Sequence, residues 1–303
     1  MYRTDTSARY TVVAYYRKCR VNRSPPGRLL GQDGRVTDPE SGLAAQDAYG
    51  LIEAQFNEAL DESLDPAGPG LLYDLVAGLS LPAGATAIDV GCRDGDYTVE
   101  LSRRFGLQVT GIDPVTRCIE AARAAARPGD SVRFEVGIAE NLPVASASVD
   151  LVWCRDVLSL VADLDRAYRE FRRVLKPGGR ALIYQMFATG LLEPGEAAFL
   201  LPVMDCVPAS MRPETAEAAI TAAGLRIDRC VILGTEWGEY AQEHSPQPGR
   251  QLLHAARLIR DPDRYIARFG RQNYDIKLGD CLWHIYRMIG KLSSRIYLLS
   301  APG

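Results

Sequence analysis

Two aspartates stand at the ends of two successive apolar runs, where each could bind a polar ligand. The first run contains Asp89 and leads into a turn that begins at Gly91 and ends at Gly95. Glycines there permit a tight turn and a close approach of main chain to ligand, and the N-terminus of the helix that follows favours an anionic group. The second run ends in Asp113, whose carboxylate is placed to bind the hydroxyls of a ribose.

The spacing of the glycines separates two classes of nucleotide ligand. A dinucleotide-binding turn has the pattern G-x-G-x-x-G, which leaves room for a pyrophosphate. In this chain Arg93 lies between Gly91 and Gly95, and Asp89 precedes the first glycine by two residues. A carboxylate at that place suits a ligand that carries an ammonium group and no pyrophosphate. S-adenosylmethionine has that ammonium group and also a sulfonium, so the pattern favours it over a nicotinamide cofactor.

Strand and helix patterns alternate around these residues. Apolar runs predict strands at 85–90, 108–112, 132–136, 149–153, 180–186, 225–233 and 294–299. Helical patterns lie between them, near 96–105, 115–126, 163–175 and 213–223, and Lys176–Gly179 predicts a helix stop before the fifth strand. This alternation predicts an α/β fold: a Rossmann-like, seven-stranded, mostly parallel sheet with helices on both faces and a mainly helical cap.

The chain divides into four expected segments. Residues 1–42 carry eight Lys/Arg and no apolar periodicity, which indicates a disordered arm, although a tail for nucleic acid or another acidic partner stays open. Helical patterns at 44–64 and 71–79 predict an N-terminal lid over 43–84. Residues 85–235 and 293–303 are expected to form the cofactor-binding core. Helical patterns at 251–260, 264–269 and 274–292 predict that residues 236–292 are a cap insertion that forms the substrate site.

Composition narrows the classes of protein and partner. The formal net charge of −3 argues against a protein that coats nucleic acid. Seven scattered cysteines without a C-x-x-C pair, and three histidines without metal-ligand spacing, predict neither disulfides nor a metal site. No apolar run approaches the length of a membrane span. We therefore expect a cytoplasmic protein with a small-molecule substrate, no nucleic acid and no membrane partner; a homodimer is left open.

Five segments resemble, in order, the motifs of the class I S-adenosylmethionine-dependent methyltransferases, and in particular their UbiE-like small-molecule group. Ile88–Gly95 resembles the first motif, and Asp113 resembles the ribose-binding acid. The segments 137–143, 148–154 and 173–179 resemble the adenine-side loop, the fourth strand and the corner before the fifth strand. The resemblance covers about residues 85–190, and the flanks match more loosely.

The resemblance implies a set of cofactor contacts. Asp113 would bind the ribose hydroxyls, Pro114 and Cys118 would pack on the adenine, and Ala139 would meet the adenine edge beside Glu140. A helix cap at Asp113 and simple core packing of Cys118 are the alternatives. The complete expected set is Asp89, Gly91, Cys92, Arg93, Gly95, Asp113, Pro114, Cys118, Ala139, Glu140 and Cys154.

Two positions depart from the family pattern. Arg93 replaces the middle glycine of the turn, where its guanidinium would either pair with the carboxylate of the cofactor or point to solvent. Ile138 replaces an acid, so a side-chain contact with the adenine amino group is missing there.

Asp156 is the candidate catalytic residue because it follows the fourth strand, at the edge where ligands bind in open α/β sheets. It would orient or deprotonate an acceptor hydroxyl or amine, or else cap the helix that follows. Leu160 stands where many relatives have a histidine, so a base is missing at that position. The candidate substrate contacts are Arg155, Tyr184, Trp237, His254 and His284, for which surface or core packing is the alternative.

The resemblance implies methyl transfer to an oxygen or nitrogen nucleophile of a small specialised metabolite. A helical cap favours a closed, water-excluded pocket over an open groove for a polymer. Three alternatives remain at this point. They are an S-adenosylmethionine-binding enzyme that catalyses cyclisation or rearrangement, an RNA or protein methyltransferase, and a cofactor sensor or scaffold.

Overall fold

The computed structural model describes residues 45–62 and 65–303, which divide between two compact units, Met1–Glu62 and Ser63–Gly303. The predicted disordered arm, residues 1–42, lies outside the described residues. In the first unit, helix α1 (Ala45–Asp61) agrees with the helical pattern, and Phe56 and Leu60 on it are exposed. No described helix combines the length and apolar character that a membrane crossing requires.

The second unit is built on a sheet of seven strands in the order β3-β2-β1-β4-β5-β7-β6, which confirms the predicted fold class. Strands β1 to β5 pair in parallel, whereas β7 runs antiparallel to both β5 and β6. The strands are β1 (Thr86–Val90), β2 (Gln108–Asp113), β3 (Val132–Val136), β4 (Val149–Arg155), β5 (Leu175–Ala188), β6 (Arg226–Gly234) and β7 (Leu292–Ser300).

Helices connect these strands and cover both faces of the sheet. The helices of this unit that precede β6 in the chain are α2 (Gly70–Ala77), α3 (Asp96–Phe105), α4 (Thr116–Ala125), α5 (Leu164–Val174), α6 (Pro194–Val203) and α7 (Pro213–Ala222). The segment between β6 and β7 holds α8 (Glu236–His244), α9 (Gln247–Arg260), α10 (Pro262–Phe269) and α11 (Arg271–Met288). The predicted helical insertion into a terminal hairpin is therefore present as secondary structure.

The side chains of strand β4 belong to two hydrophobic cores, one on each face of the sheet. Its side chains alternate between the faces of the sheet, as the period of a strand requires. Trp153 belongs to the core that includes Leu72 of α2 and Leu101 of α3, whereas Val152 belongs to the core that includes Phe171 of α5. All of these side chains are at most 1% exposed, and each contributes about 1.5–3 kcal/mol by leaving water.

Strand β5 begins earlier than predicted, at Leu175 instead of Arg180. Leu175 pairs with Val149, and the register then shifts so that Arg180 pairs with Leu151. Gly178, whose φ is +74°, permits the excursion between these two pairs. Helix α5 ends at Val174, directly before the predicted helix stop, and the segment of that stop forms a bulge inside β5.

Two helices also differ from the sequence prediction. Helix α6 was not predicted, because its central residues are apolar on every side and show no helical periodicity. Helix α11 begins at Arg271 and ends at Met288, rather than extending from 274 to 292. Gly290, with a φ of +77°, leads the chain out of the helix and into β7.

Candidate functional site

The glycine turn after β1 is held against the end of β2. The N–H groups of Gly91 and Cys92 both donate to the carbonyl of Ile112, at 2.7 and 3.1 Å. Gly91, Arg93 and Gly95 have φ values of +79°, +49° and +85°, so the turn contains three left-handed residues. Arg93 therefore keeps the conformation that glycine adopts most readily, and its side chain is exposed.

Asp113 joins this turn to the segment that follows β2. Its carboxylate, which is nearly buried, accepts hydrogen bonds from Arg93 N–H at 3.0 Å and from Val115 N–H at 2.8 Å. The residue that precedes helix α4 is Val115, which makes no side-chain cap, so Asp113 is not the helix cap. Each carboxylate oxygen keeps a further lone pair, which leaves acceptor capacity for a pair of hydroxyls.

Asp89 is a buried carboxylate at the end of β1, with 2% of its surface exposed. The Thr98 hydroxyl donates to it at 2.7 Å, and among the described residues no cationic side chain forms an ion pair with it. Burial raises the pKa of Asp89 to about 6, against the opposing effects of the Thr98 hydrogen bond and the charge of Arg155. A buried carboxylate without a cationic partner fits the ammonium group of the expected cofactor.

The other expected cofactor contacts differ in their exposure. Pro114 is exposed, Cys118 and Glu140 are half-buried, and Ala139 is 5% exposed. Cys154 is fully buried in the core on the α5 side of the sheet, so the structure favours core packing for it over a cofactor contact. Burial also raises the pKa values of the Cys92 and Cys154 thiols, which keeps both neutral.

A cavity of about 500 Å³ lies beyond the carboxyl ends of β4 and β5. We call it the acceptor cavity. The sheet contributes Arg155, Asp156 and Tyr184, and the helices between β6 and β7 contribute the rest of its wall. Its chemically informative lining residues are Arg155, Asp156, Tyr184, Trp237, His284 and Arg287.

Four of the five expected substrate contacts meet in the acceptor cavity; His254 is the exception. His254 lines a separate groove with Tyr265 and Tyr274, formed by α9 and the two helices that follow it. Helix packing places His254 next to α10 and α11 and outside the lining of the acceptor cavity, so a substrate contact in that cavity is not supported for it. Arg287 lies in the cavity but was not among the expected residues. Only a weak indication of Arg287 is present in the sequence, where it is a cationic residue three positions after His284 on the same predicted helix.

Asp156 lines the acceptor cavity and does not cap a helix. Its φ is +59°, its N–H donates to the carbonyl of Tyr184 at 2.9 Å, and the short 3-10 helix that begins at Leu158 has no side-chain cap. The carboxylate is open to the cavity but is surrounded by protein. That burial raises its pKa, while the charges of Arg287, Arg155 and His284 act in the opposite direction.

The acceptor cavity adjoins the glycine turn. A methyl group placed on Gly91 would overlap the Cγ2 of Val157, the residue after Asp156. The guanidinium of Arg155 lies 4.0 Å from the ring centre of Tyr97, in the first turn of α3. Ligands in the turn and in the cavity would therefore be neighbours.

Comparisons with known proteins agree with this arrangement. A methyltransferase domain family matches residues 88–183. Methyltransferase GfsG of Streptomyces halstedii is 34% identical over 137 residues, which cover 43% of this chain and 49% of GfsG. O-methyltransferase resE of Aspergillus sclerotiorum is 27% identical over 64% of this chain and 75% of resE. The solved structure of the [4+2]-cyclase SpnF superposes with a TM-score of 0.57 at 24% identity, over 76% of this chain and 80% of SpnF.

The family match covers the segment that contains the turn, Asp113 and β4, and the match to GfsG spans about half the length of that relative. The narrower UbiE-like grouping stays a prediction. Seven strands in the observed order, a left-handed glycine turn and a methyltransferase domain family that matches residues 88–183 lead to one conclusion: this part of the chain is a methyltransferase domain of the S-adenosylmethionine-dependent kind.

Proposed function

We propose that this chain transfers a methyl group from S-adenosylmethionine to an oxygen or nitrogen nucleophile of a small molecule bound in the acceptor cavity. The observation that carries the proposal is the position of Asp156, which lines that cavity while its neighbour Val157 packs against Gly91 of the turn. A proton-accepting group thereby stands next to the place where the cofactor would present its methyl.

The turn and the two carboxylates would hold the cofactor. Asp89 would pair with its ammonium group, and Asp113 would bind the ribose hydroxyls while it fixes Arg93 in the turn. Bound S-adenosylmethionine supplies a methyl group made electrophilic by the sulfonium, so the protein has chiefly to align a nucleophile and exclude water.

Asp156 would accept the proton that the acceptor loses as its oxygen or nitrogen bonds to the methyl carbon. Burial raises the pKa of this carboxyl above its ordinary value and so makes the carboxylate a stronger base than an exposed aspartate. Its left-handed backbone, which costs an aspartate some conformational energy, is fixed by the hydrogen bond to Tyr184.

The helices between β6 and β7 would exclude water from the reaction. Trp237 of α8 packs on Tyr184 with ring centres 4.3 Å apart, and α11 contributes His284 and Arg287 to the same wall. We therefore propose that residues 236–292 act as the cap of the substrate site. A half-enclosed cavity of this size accommodates a small molecule and not a folded polymer.

A second candidate function is cyclisation or rearrangement with the cofactor bound but unconsumed. The likeness to the [4+2]-cyclase SpnF favours it, as do the aromatic walls of the cavity, which suit a reaction that needs shape more than a base.

Incubation with S-adenosylmethionine and a panel of hydroxyl- and amine-bearing small molecules tests the proposal. Methyl transfer yields S-adenosylhomocysteine and a product one methyl group heavier, whereas cyclisation leaves the cofactor intact and yields a product of unchanged mass. Cofactor binding without S-adenosylhomocysteine formation from any acceptor, accompanied by an isomerised product, would favour the second candidate. Failure to bind the cofactor would reject both.

A further inference from the structure

The acceptor cavity contains two arginines that have no ion-pair partner among the described residues. Arg155 comes from the end of β4 and Arg287 from the last turn of α11, so distant parts of the chain bring both guanidinium groups to one wall. Neither forms an ion pair within 4.0 Å or a hydrogen bond with any other described residue. Their only acidic neighbour in the lining is Asp156.

Arg155 is half-buried and has no ion-pair partner among the described residues. Its Nε is inaccessible to solvent and has no acceptor among the described residues, although the guanidinium packs on Tyr97 and lies 5.8 Å from the ring centre of Trp237. Packing on aromatic rings stabilises the cation in part but supplies no hydrogen-bond acceptor. A charged donor left in this state costs free energy unless a ligand provides the acceptor.

The charge of the cavity differs in sign from that of the chain. The whole protein has a formal net charge of −3, yet the lining holds one more permanent positive charge than negative charge. A surplus of positive charge on a half-enclosed, partly apolar wall attracts an anion more strongly than the same charges would on an open surface. Two arginines are well suited to a carboxylate or a phosphate, because the planar guanidinium group can donate two parallel hydrogen bonds.

We propose that the acceptor carries an oxyanion, a carboxylate or a phosphate, which Arg155 and Arg287 bind while its nucleophile faces Asp156. This inference rests on the proposed function and narrows it to acidic acceptors. The two arginines are positioning residues: they hold the acceptor so that its hydroxyl or amine lies between Asp156 and the glycine turn.

Calorimetry of the protein saturated with S-adenosylhomocysteine tests this binding directly. The probes are 4-hydroxybenzoate and its neutral counterpart 4-hydroxybenzamide, then 4-hydroxyphenyl phosphate and neutral 4-hydroxybenzyl alcohol. We expect the anionic member of at least one pair to bind about tenfold more tightly than its neutral partner, and the preference to shrink as salt is added. The pair that shows the larger preference identifies the oxyanion as carboxylate or phosphate.

Matched variants assign the effect to the two arginines. Arg155→Met and Arg287→Met should each lose about tenfold in affinity for the anionic probe and little for the neutral one. Arg287→Lys should retain part of the preference. Arg260→Met, an exposed position on α9 outside the cavity, is the control and should bind like the parent protein. Thermal melts monitored by circular dichroism check that each variant is folded.

Two outcomes would overturn the inference. One is a parent protein that binds S-adenosylhomocysteine but prefers no anionic probe, or binds none of the four probes. The other is an oxyanion preference that survives in both folded methionine variants. Either result leaves the proposed methyl transfer standing. Absence of S-adenosylhomocysteine binding in the parent protein would instead reject the proposed function itself.

Discussion

Cofactor affinity should rise as the pH increases from about 5 to about 7, because Asp89 ionises in that window. The carboxyl lies at the end of β1 with 2% of its surface exposed, and its pKa is raised to about 6 chiefly by burial. An ammonium group binds the ionised form, and the protonated form offers it no negative charge. The Asp89→Asn variant removes the titration while it keeps the size of the side chain.

The size of the expected change in cofactor affinity follows from the pKa of Asp89. With a pKa of about 6, roughly a tenth of the carboxyls are ionised at about pH 5 and roughly nine tenths at about pH 7. The affinity for a ligand that carries the ammonium group should therefore increase about tenfold over this range, which is equivalent to about 1.4 kcal/mol of binding free energy. The affinity should change little above about pH 7, where the group is already ionised.

The stability of the ligand-free protein should move in the opposite direction. The folded-state pKa of Asp89, about 6, lies above the ordinary value of 3.8, so between these values the folded state holds a proton that the unfolded state has released. The free energy of unfolding therefore falls as the pH rises through this window, by at most about 3 kcal/mol, and is constant above it. Burial of an unpaired charge thus lowers stability at the pH at which the cofactor binds.

Isothermal calorimetry with S-adenosylhomocysteine at several pH values measures the affinity, and thermal melts measure the stability. Asp94→Asn is the control, since Asp94 is an exposed acid in the same turn. The parent protein and Asp94→Asn should show the tenfold rise, and Asp89→Asn should show a weak, flat affinity together with higher stability near neutral pH. A parent protein whose affinity does not change between about pH 5 and about pH 7 would refute the reasoning.

Three further predictions concern the turn and the cavity. Asp156→Asn should lower the rate of S-adenosylhomocysteine formation by at least about a hundredfold while cofactor affinity stays within about twofold, and unchanged turnover would reject its role as base. Asp113→Ala should weaken cofactor binding at least about tenfold, measured by calorimetry, because Arg93 N–H also loses its acceptor; unchanged affinity would reject the ribose contact. Gly91→Ala should lower the melting temperature more than Gly84→Ala. Both glycines have φ near +78°, so the backbone strain is similar, but only the methyl group at 91 would overlap Val157. Equal losses of melting temperature would contradict the close packing of Gly91 on Val157.

Much of the cofactor half of the site was predictable because it depends on short-range patterns. Asp89, Gly91 and Gly95 lie in one strand-turn-helix unit, so their order along the chain fixes their approximate places. Asp113 ends the next strand, and parallel pairing of β1 with β2 brings it to the same edge of the sheet. The sequence left open whether Asp113 caps a helix, and it placed Cys154 at the cofactor although the structure buries Cys154 in the core; both points depend on how neighbouring elements pack.

The acceptor half depended on contacts between residues far apart in the chain. The sequence offered Arg155, Asp156 and Tyr184 as neighbours of the strand ends, but it did not indicate that Arg287 would reach them and His254 would not. Both of these residues lie on helices of the segment between β6 and β7. The packing of those helices on the sheet and on each other sets the direction in which each side chain points. The helical periodicity of the sequence does not determine that direction alone.

The sequence by itself determined the strand and helix alternation, the glycine turn and the two carboxylates at the strand ends, since each follows from local periodicity and backbone freedom. Only the tertiary structure decided the earlier start of β5, the left-handed backbone of Asp156 and the meeting of two unpaired arginines around it. The physical reason is that register, strain and the charge of a cavity arise when separate segments of the chain pack together, and none of these properties belongs to a single segment.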